Sequence, residues 1–212
     1  MKKAFIFDFD GVLVDFKKRY YSVYRDSMSG VIKREPSMEE IIYLRQKNGS
    51  AKIFDKFIEE EEISKDRLNE MIKKRNKFFE DIDYLKLDQL NKEAMEINNN
   101  LKKIGWFSAI VTRRKNFETF EKQINLLNIR NNFDFMINCD EKSKAIKKII
   151  EVNGPFEKIF FLTDTVEDVL DLKNLPEVLT IAYPGSFDDY ESLKKSEPYK
   201  VIKSIGELNK IL

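Results

Sequence analysis

Ala4-Phe5-Ile6-Phe7-Asp8-Phe9-Asp10-Gly11-Val12-Leu13-Val14-Asp15 follows directly on Met1-Lys2-Lys3. The apolar run over residues 4–9 is too short for a helix and is bounded by turn residues, so it reads as a buried strand. It breaks at Asp8 and Asp10, which denies it the long uncharged stretch of a secretory signal. A lone Asp-x-Asp is ordinarily a turn or a helix cap. Here two acids stand at the end of a strongly apolar strand, and the rest of the chain decides what they mean.

Four more runs of the same kind lie at residues 107–111, 133–137, 159–162 and 179–182. Helical patterns separate them: residues 117–127 are apolar at Phe117, Phe120, Ile124 and Leu127, and residues 143–152 at Ala145, Ile146, Ile149 and Ile150. Strands alternating with helices of this length predict an α/β fold with a parallel sheet covered on both faces. In such sheets ligands sit at the carboxyl ends of the strands. The stretch between Phe9 and Phe107 is far longer than an ordinary connection. It reads as helices over residues 38–48, 51–62, 64–83 and 90–104, with Ser64 as an N-cap. Residues 1–15 and 88–212 are thus expected to form the α/β core, and residues 16–87 an inserted helical module. A short strand and a closing helix are expected from Val201 onward.

Composition narrows the chemistry. Hydrophobic residues make up 42% and charged residues 35% of 212, which supports a packed core under a charged surface rather than a disordered chain. Lys and Arg total 38 against 37 for Asp and Glu, so no basic excess points to nucleic acid. No window suits a membrane span, and a cytoplasmic location is expected. The single cysteine, Cys139, excludes an internal disulfide and a multi-cysteine zinc site, and reads as an inert half-buried thiol. With no histidine, Ser-His-Asp triads and Cys-His pairs are excluded as well. What remains are carboxylates, lysines, hydroxyls and a hard metal ion.

Those groups converge at strand ends. The first strand delivers Asp8 and Asp10, the second Thr112, and the fourth Asp164 with Asp168 one helical turn later. Carboxylates crowded together repel unless a proton or cation intervenes. An all-oxygen donor set favours Mg2+ over zinc or copper.

With these residues in view, Asp8-Phe-Asp-Gly-Val-Leu-Val-Asp15 resembles the first signature of the haloacid dehalogenase superfamily, in its phosphoglycolate-phosphatase-like form. Ala109-Ile110-Val111-Thr112 is similar to the second signature. Lys142 in Lys142-Ser-Lys-Ala matches the third, with Lys144 as the alternative, and Phe161-Leu-Thr-Asp164-Thr-Val-Glu-Asp168 matches the fourth. The resemblance covers the whole chain. It implies a Rossmann-like core with a helical cap of the C1 type inserted between the first and second signatures. It also implies a Mg2+-dependent phosphatase that hydrolyses a small phosphorylated metabolite. Asp8 would be the nucleophile that forms an aspartyl-phosphate, and Asp10 the general acid and base. The metal would lie between Asp8, the Asp10 carbonyl and Asp164. Thr112 and Lys142 would hold phosphoryl oxygens, and Asp168 would support Lys142 or the metal's waters.

Gly11, Arg113, Lys17 and Arg19 are further candidates for contact with an anionic substrate, and Glu167 is expected to point away from the site. The enzyme is expected to work as a monomer or small homo-oligomer. A dehalogenase is disfavoured because Asp10 is present. A phosphomutase of the β-phosphoglucomutase type is disfavoured because it would use a cap histidine and this chain has none. A non-catalytic module would be expected to have lost one of these residues.

Overall fold

A computed structural model describes residues 2–49 and 52–212. The chain divides into two compact units, Met1–Asp15 with Leu90–Leu212, and Phe16–Gln89. The second unit is helical: α1 (Lys17–Met28), α2 (Met38–Asn48), α3 (Ile53–Glu61), α4 (Lys65–Phe79) and α5 (Ile82–Leu85). Its interior is aromatic, with Tyr24 of α1 packed against Phe54 of α3 and Phe79 of α4. Ser37 and Ser64 cap α2 and α4 by accepting from Glu40 and Arg67 N–H.

The first unit is a six-stranded parallel sheet: β1 (Lys2–Phe7), β2 (Phe107–Thr112), β3 (Phe135–Asn138), β4 (Phe156–Thr163), β5 (Val178–Ala182) and β6 (Lys200–Val201), in the order β3-β2-β1-β4-β5-β6. It is flanked by α6 (Lys92–Lys103), α7 (Phe117–Leu126), α8 (Lys142–Asn153), α9 (Val166–Leu172) and α10 (Tyr190–Lys195). Alternate side chains of β1 enter opposite layers. Phe5 and Phe7 join Met95, Leu101, Phe120 and Ile124 on one face, and Ala4 and Ile6 join Ala145, Ile146 and Ile149 on the other. Each fully buried side chain of this size stabilises by roughly 1.5–3 kcal/mol. Burial on both sides is why the strands read as unbroken apolar runs rather than alternating ones.

This strand order reverses direction between β1 and β4, where Phe7 pairs with Leu162. Such a switch point opens a crevice at the carboxyl ends of the two strands. The chain leaves this unit after Asp15 and returns at Leu90. Just inside those points, Asn91 N–H donates to the Leu13 carbonyl at 2.8 Å.

Several boundaries differ from the sequence reading. The helix expected over residues 64–83 is two helices. Asp81 has extended backbone and accepts from Asp83 N–H, so it caps α5 and stops the run. The helix expected from residue 51 starts outside the described residues, and its described part is Ile53–Glu61. Residues 90 and 91 precede α6, with Asn91 as its cap. Phe133 lies ahead of β3, behind the 3₁₀ turn Arg130–Asn132. β4 starts three residues early, on the polar Glu157 and Lys158, whose exposed side chains hid it. The closing segment Ile205–Lys210 is a 3₁₀ helix. Among the described residues no helix is long and apolar enough to cross a membrane.

Candidate active site

β1 ends one residue before Asp8, whose N–H still donates to the Leu162 carbonyl at 2.9 Å. Asp8 is therefore held by the sheet while its side chain clears the last rung. Its Oδ1 accepts from Phe9 N–H at 2.6 Å, and its Oδ2 lies 2.6 Å from Lys142 Nζ. Lys142 is the first residue of α8 and is 1% exposed. Its ammonium also donates to Asp168 Oδ2 at 2.6 Å. Lys144 points to solvent instead and pairs with Glu141. Of the two lysines left open by the sequence, Lys142 is the one brought to Asp8.

Asp164 follows β4, and Asp168 sits in the first turn of α9, where it also accepts from Thr163 Oγ1 at 2.8 Å. Asp164 Oδ2 accepts from Ser186 N–H at 3.1 Å, while its Oδ1 is buried with no hydrogen-bond partner among the described residues. Thr112 is buried at the end of β2, and its Oγ1 accepts from Arg114 N–H at 3.3 Å. Asp10, a quarter exposed, is held by two hydrogen bonds from Arg114.

The electrostatics of this cluster are unbalanced. Burial pushes the Asp8 carboxyl well above the usual carboxylate range, with Asp168 and Asp164 adding to the effect against the pull of Lys142. Burial, then Asp168, pushes Asp164 up to about 7. Burial also works to raise Asp168, but Lys142, Thr163 and Arg113 hold it below the usual range. For Lys142, burial favours loss of the proton, yet Asp168 and Asp8 hold its ammonium above the ordinary lysine value. One ammonium thus faces three buried carboxylates, and two of them resist ionisation.

A divalent cation would relieve that excess. Among the described residues no three His, Cys, Asp or Glu side chains form a ready cage. Mg2+ does not need one, since it binds through one or two carboxylates and completes its shell with water and phosphate oxygens. The orphaned Asp164 Oδ1, with Asp8 beside it across the switch point, fits such an ion. These are the side chains that could hold it.

Other candidates have different surroundings from those expected. Gly11 has φ +81°, and a Cβ there would lie 1.9 Å from Asp164 Oδ2. Its carbonyl accepts from Tyr183 Oη at 2.6 Å. Gly11 thus leaves room for Asp164 rather than offering a side-chain contact. Arg113 lies among acids: it pairs with Glu167, sits 3.1 Å from Asp171 Oδ2, and its Nε is 3.2 Å from Asp168 Oδ1. Glu167 turns outward, as expected. Arg19 is inside the helical unit, donating to Asp88 Oδ1 at 2.9 Å, so its charge is already matched there rather than held out for substrate. Lys17 is half-buried at the start of α1. Cys139 is half-buried, and burial pushes its thiol up to about 11.

Two residues escaped the sequence reading. Asp171 accepts from Lys142 N–H at 2.8 Å and from Ser143 Oγ at 2.7 Å, so it caps α8 and fixes the root of Lys142. Ser186, in the loop after β5, aims its N–H at Asp164. Asp171 lies one turn beyond Asp168, a helical spacing that could have singled it out.

Comparison with known proteins bears on the fold. Over 99% of its length the chain resembles a predicted phosphoglycolate phosphatase from Haemophilus somnus 129pt, at 15% identity and a TM-score of 0.80, covering 97% of that chain. A haloacid dehalogenase-like family hydrolase from Streptococcus pneumoniae gives 18% identity and a TM-score of 0.79, with 99% and 98% of the two chains covered. A predicted phosphatase from Clostridium acetobutylicum gives 18% and 0.74, covering 100% of this chain and 98% of that one. At such identities the likeness is one of fold. None of the curated proteins matches the chain. The model of the haloacid dehalogenase-like hydrolases matches residues 5–170, a span that begins in β1 and takes in Asp8, Thr112, Lys142, Asp164 and Asp168. By that match the chain belongs to the haloacid dehalogenase-like hydrolase family.

Proposed function

We propose that this protein is a Mg2+-dependent phosphohydrolase acting on a small phosphorylated metabolite, with Asp8 as nucleophile. The observation that carries the reading is the buried Asp8 at the switch point, 2.6 Å from an ammonium, with a buried Asp164 oxygen at the next strand end that has no partner among the described residues. Asp8, Asp164 and the Asp10 carbonyl would hold the metal, which would supply positive charge that lets an anionic nucleophile approach an anionic phosphoryl group. Lys142 offers a second positive charge that can turn from Asp8 to a phosphoryl oxygen while keeping its bond to Asp168. Thr112 Oγ1 is a donor from the next strand end.

In the first step an Asp8 oxygen attacks phosphorus in line, the P–O bond to the leaving group breaks, and Asp10 delivers a proton to the departing oxygen. In the second step Asp10 takes a proton from water as that water attacks the aspartyl-phosphate. Inorganic phosphate leaves and the Asp8 carboxylate is restored. Phe16–Gln89 serves in this reading as the cap that sets selectivity.

The test is phosphate release from p-nitrophenyl phosphate and a panel of sugar and organic phosphates, with Mg2+, with EDTA, and for Asp8→Asn. Activity that requires both the metal and Asp8 supports the reading. Release that persists in Asp8→Asn refutes it.

A further inference from the structure

The segment after β2 carries Arg114, whose guanidinium grips Asp10 at both oxygens. Nε donates to Oδ2 at 2.7 Å and Nη2 to Oδ1 at 2.6 Å. Two such bonds in one plane fix both the position and the rotation of a carboxylate, which a single contact does not. The guanidinium is itself restrained. Nη1 donates to Oε1 of Gln123, a fully buried side chain of α7, and the Phe9 ring lies 4.7 Å from Cζ. The Arg114 backbone is tied at both ends of its peptide. Its N–H donates to Thr112 Oγ1, and its carbonyl accepts from Asn138 Nδ2 at 3.4 Å.

We propose that Arg114 is a positioning residue that holds Asp10 in the rotamer from which it exchanges a proton with the leaving-group oxygen. The proposal rests on the phosphohydrolase reading and adds to it a residue that acts through Asp10. Asp10 is partly exposed, and a two-point contact made before substrate arrives lowers the entropy cost of ordering such a side chain. A small misplacement of a proton-transfer group is costly when the leaving oxygen is basic. An alkoxide needs its proton as the P–O bond breaks, whereas p-nitrophenolate departs without one.

The experiment compares kcat/KM for glycerol phosphate and p-nitrophenyl phosphate, since this ratio reports the step in which Asp8 is phosphorylated. Arg114→Met is expected to lower it about 100-fold for the alkyl ester and less than about 5-fold for the aryl ester. Arg114→Lys, with one contact instead of two, should recover part of the alkyl activity. Adding Arg114→Met to Asp10→Asn should cost nothing further, because both changes remove the same function.

Equal losses on the two esters, or an additive double mutant, would overturn the proposal and leave Arg114 as a tie between two loops. A crystal structure of Arg114→Met in which Asp10 keeps its rotamer would overturn it whatever the rates, including the case where neither ester is a substrate. If the Met variant fails to fold, the same two readouts are taken on Arg114→Lys. Asp8→Asn in the same assay tests the underlying reading separately, because its result does not depend on the ester used.

Discussion

Replacing Lys142 by Met should destabilise the core by an amount that depends on pH. The lysine is 1% exposed and lies 2.6 Å from both Asp8 Oδ2 and Asp168 Oδ2. Methionine fills similar space but leaves two buried carboxylates facing each other. Breaking a buried pair from one side typically costs about 3–5 kcal/mol. The affected groups can escape part of that by taking up protons. Asp168 sits below the usual range only because Lys142, Thr163 and Arg113 outweigh burial, so without the ammonium it climbs, and the already raised Asp8 climbs further.

Carboxylates raised in the folded state lose stability as pH rises from their unfolded value toward their folded one. The deficit should therefore be smaller near pH 5 and larger near pH 8, where the two carboxylates must stay ionised without the ammonium. Urea unfolding in EDTA, followed by the fluorescence of Trp106, reports this directly, since Trp106 is the sole tryptophan and packs in the core. With a slope of about 3 kcal/mol per molar urea, the midpoint at pH 8 should fall by about 1–2 M. A loss below about 1 kcal/mol at pH 8, or one equal at both pH values, would refute the reasoning.

The unmodified protein should show the same sign at Asp164. With its carboxyl pushed up to about 7, the protein in EDTA should lose stability as pH rises from about 4 toward about 7, and Mg2+ should reverse that loss. A melting temperature that climbs over this range in EDTA counts against the assignment. Gly11→Ala should cost about 1–3 kcal/mol for the left-handed backbone alone. It should also shrink the thermal shift produced by Mg2+, because the new methyl occupies the place of Asp164 Oδ2. Asp171→Ala should remove the cap of α8 at a cost of about 0.5–2 kcal/mol. It should slow turnover through Lys142 while leaving Mg2+ affinity within about twofold, measured by calorimetry; a large change in affinity would place Asp171 at the metal instead.

The placement of Asp8, Thr112 and Asp164 at strand ends was legible in the sequence because each follows an apolar run, and ligands gather at that edge of a parallel sheet. The choice between Lys142 and Lys144 was not. Both lie near a helix start, and only the packed helix shows that one points inward and the other to solvent. The pairing of Arg19 with Asp88 was not legible, because sequence gives a charge but not its partner, and Asp88 lies far along the chain. Asp171 and Gln123 look like ordinary polar positions on amphipathic helices; their roles depend on loops brought to them by the fold. The split of the long helix at Asp81 turned on a cap competing with the helix interior, where the apolar pattern alone favoured continuity.

The hydrogen bond between Leu13 and Asn91 has an evolutionary reading. Because departure and return are clasped to each other within the first unit, the whole of Phe16–Gln89 is, for that unit, a single enlarged loop. Loop-closure entropy rises only slowly with length, so inserts of very different size can hang from the same clasp at nearly equal cost. Selection can then rewrite the insert while Asp8, Lys142 and Asp164 inherit an unaltered frame. The two units are thereby free to evolve at separate rates within one chain.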